Sequence, residues 1–426
     1  MTNPSAAGAA PLSVSQIGDR LSPWWRRAAL ITMALGFAVL ILLTNRVYTD
    51  APPIPERVIG PSGAVVFTGK DVSDGQLVFL KYALMDNGSI WGHGALLGPD
   101  FSALYLHTLA LHTANSIALQ RYGSPIGQVT PVQRAMAEAE VRTGLKDNRY
   151  NPQTKALSVG PAYEDWFKAR PDAWTEYFSN PAKNGGLTAK TISNPEELRQ
   201  LSAFVAWTAW ASAANRPGQA HSYTNNFPYD PVAGNTPSAD AVLWSAVSLI
   251  FLLGGTAAVL LAFGKFDYLG WKARPGYLHP KVLGSAATPA QRATLKYFAV
   301  VALLLLAQTL VGGALAHYRA DPGTFYGFDL ATWFPSNLLR TWHLQLALFW
   351  IATAYVAGAL FLAAALGGKD PAGQKRGVDV LFCALIVVVV GSMLGEWAGM
   401  RQLMPDLWFW FGHRAGSTLS WAVPGR

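Results

Sequence analysis

Five stretches of the chain are apolar at almost every position: 28–47, 241–263, 297–317, 342–366 and 378–397. Each predicts a membrane-crossing helix, because a hydrocarbon core of about 30 Å takes roughly 20 helical residues. From about residue 49 to 240 the pattern changes. Apolar positions there recur at helical spacing between clusters of Gly, Pro and Asn that read as loops. Residues 69–85 open with turn chemistry and then become helical. Helical periodicity also marks 131–142 and 195–215, behind caps at Thr130 and Ser193. The run Phe-Val-Ala-Trp-Thr-Ala-Trp at 204–210 is apolar, but it is too short and too near charged residues to span. The expected fold is mainly α: a polytopic membrane helical bundle of about five spans, plus an outer helical domain with some short strands.

Composition supports the membrane reading. Of 426 residues, 51% are hydrophobic and only 14% charged, against about 25% charged in ordinary soluble proteins. Charge asymmetry then orients the chain. Arg20, Arg26 and Arg27 precede the first span; Lys265, Lys272, Arg274, Lys281, Arg292 and Lys296 lie between the second and third; Lys369, Lys375 and Arg376 lie between the fourth and fifth. The positive-inside rule makes these segments and the N-terminus cytoplasmic, so 49–240 and the 318–340 loop face outward. The net charge of +8 is concentrated in these flanks and calls for no nucleic acid. The first span reads as an uncleaved signal anchor, since no small-residue cleavage motif precedes Asn45-Arg46.

A single cysteine, Cys383, lies in the last span and reads as a small packing residue. One cysteine excludes a disulfide within the chain and a Cys-x-x-Cys-His haem attachment. Three polar groups in or beside the spans carry candidate chemistry. His343 sits one turn inside the fourth span, where a desolvated imidazole needs a partner; it is either a metal ligand, with haem iron suggested by the wide apolar flanks, or a hydrogen-bonded structural histidine. His317 ends the third span. It is either an interfacial residue or one of a trio with Asp321 and Phe325, spaced four apart, which share a face if the helix continues past Pro322-Gly323. A proton acceptor, a carboxylate and an aromatic wall suit a quinol, which loses protons as its electrons leave. Short connections make consecutive spans antiparallel neighbours, which puts His317 and His343 at similar depth. Glu396 ends the fifth span, either paired with Arg401 or handling protons. His93, His107 and His112 are too scattered to form a metal site, and the Trp-Gly-His-Gly turn at 91–94 reads as architectural.

These residues carry a resemblance. The motifs Ser-Ile-Trp-Gly-His-Gly-Ala-Leu-Leu-Gly-Pro-Asp-Phe (89–101), Ala-Trp-Thr-Ala-Trp (206–210), Ser-Tyr-Thr-Asn-Asn-Phe-Pro-Tyr-Asp-Pro (222–231), His-Tyr-Arg-Ala-Asp-Pro-Gly-Thr-Phe-Tyr-Gly (317–327) and Thr-Trp-His-Leu-Gln (341–345) resemble quinol-dependent nitric oxide reductase. The resemblance runs from about residue 60 to His413. It implies a periplasmic cytochrome-c-like domain without haem c at 49–240, behind a cytoplasmic N-terminus (1–27) and an anchor (28–48). It further implies a partial haem–copper-oxidase-like membrane domain of four spans at 241–413, in a bacterial inner membrane. The reaction implied is reduction of two NO to N2O and water with electrons from quinol. By position, His343 is then an axial ligand of low-spin haem b, and His317, Asp321 and Phe325 form the quinol pocket. High-spin haem b3, non-haem iron and calcium are the further cofactors implied, with a homodimer or a complementary chain as partner. Three positions depart from the pattern: Asp321 where Glu is usual, Phe227 where Trp is expected, and Leu96 where a calcium-associated Tyr is expected.

The tail 414–426 departs altogether. Restoring one base in the codon of Arg414 yields Gln-Gly-Trp-Glu-Tyr and the family's continuation, with its calcium-binding Glu at the place of Ser417. The expectation is therefore a frameshifted, aberrant tail, with the second haem b ligand and the binuclear-centre ligands beyond it, and a chain inactive alone. Two alternatives stay open: a membrane cytochrome b or quinol-binding subunit acting with a separate chain, and a non-enzymatic membrane receptor with a periplasmic domain.

Overall fold

The computed structural model describes residues 23–266, 286–367 and 369–403. The expectations for the amphipathic segment 405–412, for His413 and for the tail lie outside the described residues. Residues up to Pro52 and residues from Pro53 belong to different units. The first contains helix α1 (Pro23–Thr49), whose stretch Arg27–Thr49 is long and apolar enough to cross a membrane. Its described side chains are exposed all round, as befits a helix that lipid covers.

The second unit begins with the outer domain. Strands β1 (Arg57–Ile59) and β2 (Val65–Thr68) pair antiparallel. Helix α2 (Gly69–Lys81) follows behind a Thr68–Asp71 capping box. A single 3-10 turn at Leu84–Asp86 leads to the hairpin β3 (Ser89–Ile90) and β4 (His93–Gly94). Trp91 and Gly92 both have positive φ, which gives the hairpin a two-residue turn of the primed kind. The architectural reading of this turn agrees with its bonds: Trp91 Nε1 donates to Thr208 O at 3.0 Å and Gly92 N to Asp100 Oδ2 at 2.7 Å. Helices α3 (Phe101–Tyr122) and α4 (Pro131–Lys146) come next, then strands β5 (Tyr150–Asn151) and β6 (Ala156–Ser158), then α5 (Pro161–Ser179) and α6 (Pro195–Ala213). β6 lies parallel to β1 and antiparallel to β5, giving the order β2-β1-β6-β5.

Helix α6 is the axis of this domain. Every residue from Leu201 to Ala213 is buried. Its hydroxyls find partners within the helix: Ser202 donates to Leu198 O, Thr208 to Val205 O and Ser212 to Thr208 O. Polar side chains are thereby satisfied without water. Around α6 pack Phe79, Phe101, Tyr105, Trp174, Phe178, Phe204 and Trp207, each no more than 2% exposed. Phe79 meets Phe101 edge-on at 5.5 Å. Several bounds differ from expectation. The cap of α6 is Asn194, not Ser193, and α4 runs on to Lys146. α3 and α5 were not anticipated, although α3 carries clear end signals: Asp100 caps its start and Gly123, at positive φ, its end.

The remaining four helices, α7 (Ala239–Phe266), α8 (Pro289–Ala320), α9 (Ser336–Gly367) and α10 (Gln374–Met400), each contain a membrane-length apolar segment. With 32 residues, α8 is about 48 Å long, so its ends extend beyond a core of about 30 Å. A Thr288–Gln291 capping box with Pro289 starts it ahead of its apolar run. α8 and α9 are antiparallel: Gln291 Nε2 donates to Phe361 O at 3.3 Å, and Trp350 Nε1 to Gln308 Oε1 at 2.6 Å. α10 joins them through Tyr297 OH to Val378 O at 2.7 Å and Trp342 Nε1 to Met393 O at 3.2 Å. The apolar stretch of α7 buries nothing in protein. Cys383 is exposed on α10, which corrects the packing role expected for it. At one end of the bundle Asp379 bridges Lys296 and Lys375; the outer domain occupies the other.

The junction between outer domain and membrane helices is polar and well matched. Asn87, fully buried, donates to Asn184 O at 2.9 Å and to Ser336 Oγ at 3.3 Å. Ser336 N donates to Gly186 O at 2.9 Å, and Asn337 Nδ2 to Tyr82 O at 3.2 Å. Asp86 and Arg340 form an ion pair whose side chains are 12% and 30% exposed. Gly186 lies against the ring of Tyr318 at φ +85, and a Cβ there would stand 2.5 Å from that ring. Only glycine suits both the conformation and the approach.

Candidate functional site

Helix α8 ends where the first group of candidate residues begins. Asp321 is its C-cap, with φ at −139, and accepts from Gly323 N and Thr324 Oγ1, both at 3.2 Å. The chain then turns back. Tyr326 and Gly327 have positive φ, and Phe325 and Phe328 exchange backbone hydrogen bonds across them. His317, Asp321 and Phe325 therefore meet through a capped turn and a tight hairpin, not along a continued helix face. This corrects the condition on which their spacing was read, and leaves the trio together. The rings of His317 and Phe325 are 4.6 Å apart and edge-on, and His317 and Tyr326 are 4.8 Å apart. Tyr326 was missed in the sequence; its signal was the Tyr-Gly turn between two phenylalanines.

His317 Nε2 is 2.8 Å from Thr324 O. A carbonyl only accepts, so Nε2 carries the proton and Nδ1 keeps a lone pair. Asp321 and Tyr326 are exposed, while His317 and Phe325 are half-buried. The group can therefore accept a proton beside an aromatic wall that is open to its surroundings.

His343 is half-buried in the seam between α9 and α8. Its Nδ1 donates to Gln308 O at 3.1 Å, which satisfies the structural reading of this histidine. The same bond leaves Nε2 as the free nitrogen, the tautomer an iron ligand needs. The ring also fills a cradle beside Gly312, where a Cβ would stand 2.7 Å from Cε1. The chemistry of this one side chain thus fits one axial position of a haem. His343 stands opposite Gly312, five residues before His317, or about 8 Å along the helix axis. The two histidines are not at the same depth; His343 lies deeper in the bundle.

Other candidates do not converge. His107 Nδ1 pairs with Asp230 Oδ2 at 2.9 Å, His112 stacks on Trp166 at 5.0 Å, and His93 is exposed on its hairpin. Among the described residues no cluster of three or more His, Cys, Asp or Glu could hold a metal, so none of them fits a binuclear centre. Leu96 has no side-chain oxygen, and its carbonyl accepts from Arg319 Nη1 at 3.0 Å; its surroundings do not fit a calcium ion. Phe227 packs its ring over Gly92. Gln345 Nε2 donates to Glu396 Oε1 at 3.4 Å, while Arg401 lies over Trp333 and donates to Thr332 O.

In the outer domain, burial first, and then the Glu197 carboxylate that accepts its hydroxyl, push the Tyr82 phenol well above its usual range. A cavity of about 330 Å³ opens between α3, α4, α5 and α6, lined by Leu106, Val141, Leu157, Tyr163 and Trp210. None of the histidines lines it.

Residues 55–229 match the family model for the NorB cytochrome c-like domain of nitric oxide reductase. No curated protein matches the chain. The matched segment covers the outer domain from just before β1 to the loop after α6, with the buried Trp207 and the Trp91 turn inside it. Through residues 55–229 the chain belongs to the NorB family of nitric oxide reductases.

Proposed function

We propose that the chain is the N-terminal portion of a quinol-dependent nitric oxide reductase, and that its described part is where quinol delivers electrons. The observation that carries this reading is the His317–Phe325–Tyr326 ring cluster over the Asp321 turn, at the end of a membrane helix whose neighbour carries His343. A quinol that loses two electrons becomes a quinone and releases two protons. His317 Nδ1 takes one, because its Nε2 is committed to Thr324; the Asp321 carboxylate is the second acceptor. Phe325 and Tyr326 hold the ring by aromatic contact.

His343 Nε2 would hold a low-spin haem b, which when bound supplies a one-electron acceptor. In this reading haem b3 and non-haem iron carry the reduction of two NO to N2O and water, on ligands that are not among the described residues. The Asp379 cluster lies at the membrane end opposite the outer domain, where Lys296 and Lys375 favour the cytoplasmic face. The reading accordingly places the outer domain on the periplasmic side of an inner membrane.

The test is equilibrium binding of decylubiquinone to the purified full chain in detergent. Phe325→Ala and His317→Ala are each expected to weaken binding by about tenfold, of the order of one aromatic or hydrogen-bonded contact. Unchanged binding in both variants would refute the quinol site.

A further inference from the structure

His343 meets α8 at a place where only glycine leaves room. Besides the 2.7 Å approach to Cε1, a Cβ on Gly312 would stand 3.0 Å from Nδ1, whereas its neighbour Gly313 has open space around it. The missing methyl lets the ring reach the carbonyl of Gln308, one turn back. Gln308 is itself fixed, because its side-chain oxygen accepts from Trp350 Nε1 at 2.6 Å. Trp350 lies two turns along α9 from His343, on the same helix face. The chain of contacts thus leaves α9 at His343, passes through Gln308 and returns to α9 at Trp350.

The physical effect falls on one atom. A carbonyl accepts only, so Nδ1 must carry the proton and Nε2 must present its lone pair. Donation from Nδ1 also makes Nε2 a stronger donor to a metal. A ring held by a hydrogen bond on one side and backbone on the other has one orientation.

We propose that Gly312, with Gln308 and Trp350, is the positioning set of His343, fixing the tautomer and ring plane in which Nε2 is offered to haem iron. The proposal rests on the reading of His343 as a haem ligand. The competing role for Gly312 is close packing of α8 on α9 alone. That role predicts altered stability but no change in the bond between imidazole and iron.

Hemin titration of the purified full chain separates these possibilities, with resonance Raman spectroscopy of the reduced protein reporting the iron–histidine stretch. Gly312→Ala is expected to lower hemin affinity about tenfold or more and to move the iron–histidine band to lower frequency. Gly313→Ala, one residue away in open space, should leave both unchanged. If Gly312→Ala behaves like Gly313→Ala, the positioning role is wrong. If wild type and His343→Ala bind hemin equally, or neither binds, the ligand reading fails and the proposal with it. Should Gly312→Ala not fold, Trp350→Phe removes only the indole N–H that holds Gln308; a smaller shift in the same direction is expected, and an unmoved band overturns the proposal.

Discussion

Helices α6 and α8 are both strongly apolar, yet the protein treats them in opposite ways. α6 buries every side chain from Leu201 to Ala213 inside the outer domain, whereas the apolar stretch of α8 buries only 6% of its positions in protein. The difference lies in length and flanks. α6 has 19 residues, with Glu196, Glu197 and Arg199 in its first turns, and small residues that let aromatic neighbours close on it. α8 has 32 residues and large aliphatic side chains all round, which lipid solvates as well as protein does. Apolarity states that water must be excluded; it does not state what excludes it.

The sharpest way to break this comparison is to truncate one large side chain in each region. Trp207→Ala, at 1% exposure and with its indole N–H on Pro53 O, should cost about 3–5 kcal/mol. Leu348→Ala, at 69% exposure on α9, should stay within about 0.5 kcal/mol. Thermal unfolding of the full chain in detergent, followed by near-UV circular dichroism, measures both; equal losses would erase the distinction.

The junction between the two regions comes next. Arg340→Met leaves Asp86 without its guanidinium in a largely buried setting. The expected loss is about 1–3 kcal/mol, between the values for exposed and buried pairs. Hydrogen exchange should quicken at 184–188 and 336–340 and leave the α6 core unchanged. Uniform exchange would mean the junction and the core are one cooperative unit. Thr130→Ala removes one half of the α4 capping box and should cost about 1 kcal/mol, again confined to the outer domain.

The smallest effect is a pH dependence. Burial lowers the Lys146 ammonium to about 8 from 10.5, while its Nζ donates to Asn226 and Asn235. Between those values the unfolded chain holds more protons than the folded one, so this group's contribution to stability rises with pH from about 8 upward. The wild-type advantage in melting temperature over Lys146→Met should therefore grow between pH 7.5 and pH 10, values bracketing most of that window. A flat difference would place Lys146 in water.

The membrane helices were legible because a run of apolar residues has one physical meaning at that length. The trio was legible in part: spacing brought His317, Asp321 and Phe325 together, but the device that does so is a cap and a primed turn, and Tyr326 enters only through that turn. α3 and α5 escaped notice because both mix polar and apolar residues on faces shared with other helices, and α5 carries Pro171 inside it. The parallel pairing of β1 with β6 joins segments far apart in sequence, and no local pattern announces such a pair. Gly312 was invisible for a different reason: its role is defined by a side chain on another helix.

The polar junction also bears on how the chain is made. Asn87 and Ser336 are 249 residues apart, so in synthesis from the N-terminus the outer domain is complete well before α9 exists. Its docking face must wait in water until the later helices arrive. Asp86, Asn87 and Thr188 suit that interval, since water can satisfy each of them until Arg340, Ser336 and Ala331 take over. An apolar face of the same size would invite aggregation during the delay. The composition of the junction thus fits a protein assembled in sequence, one half holding a solvated surface ready for the other.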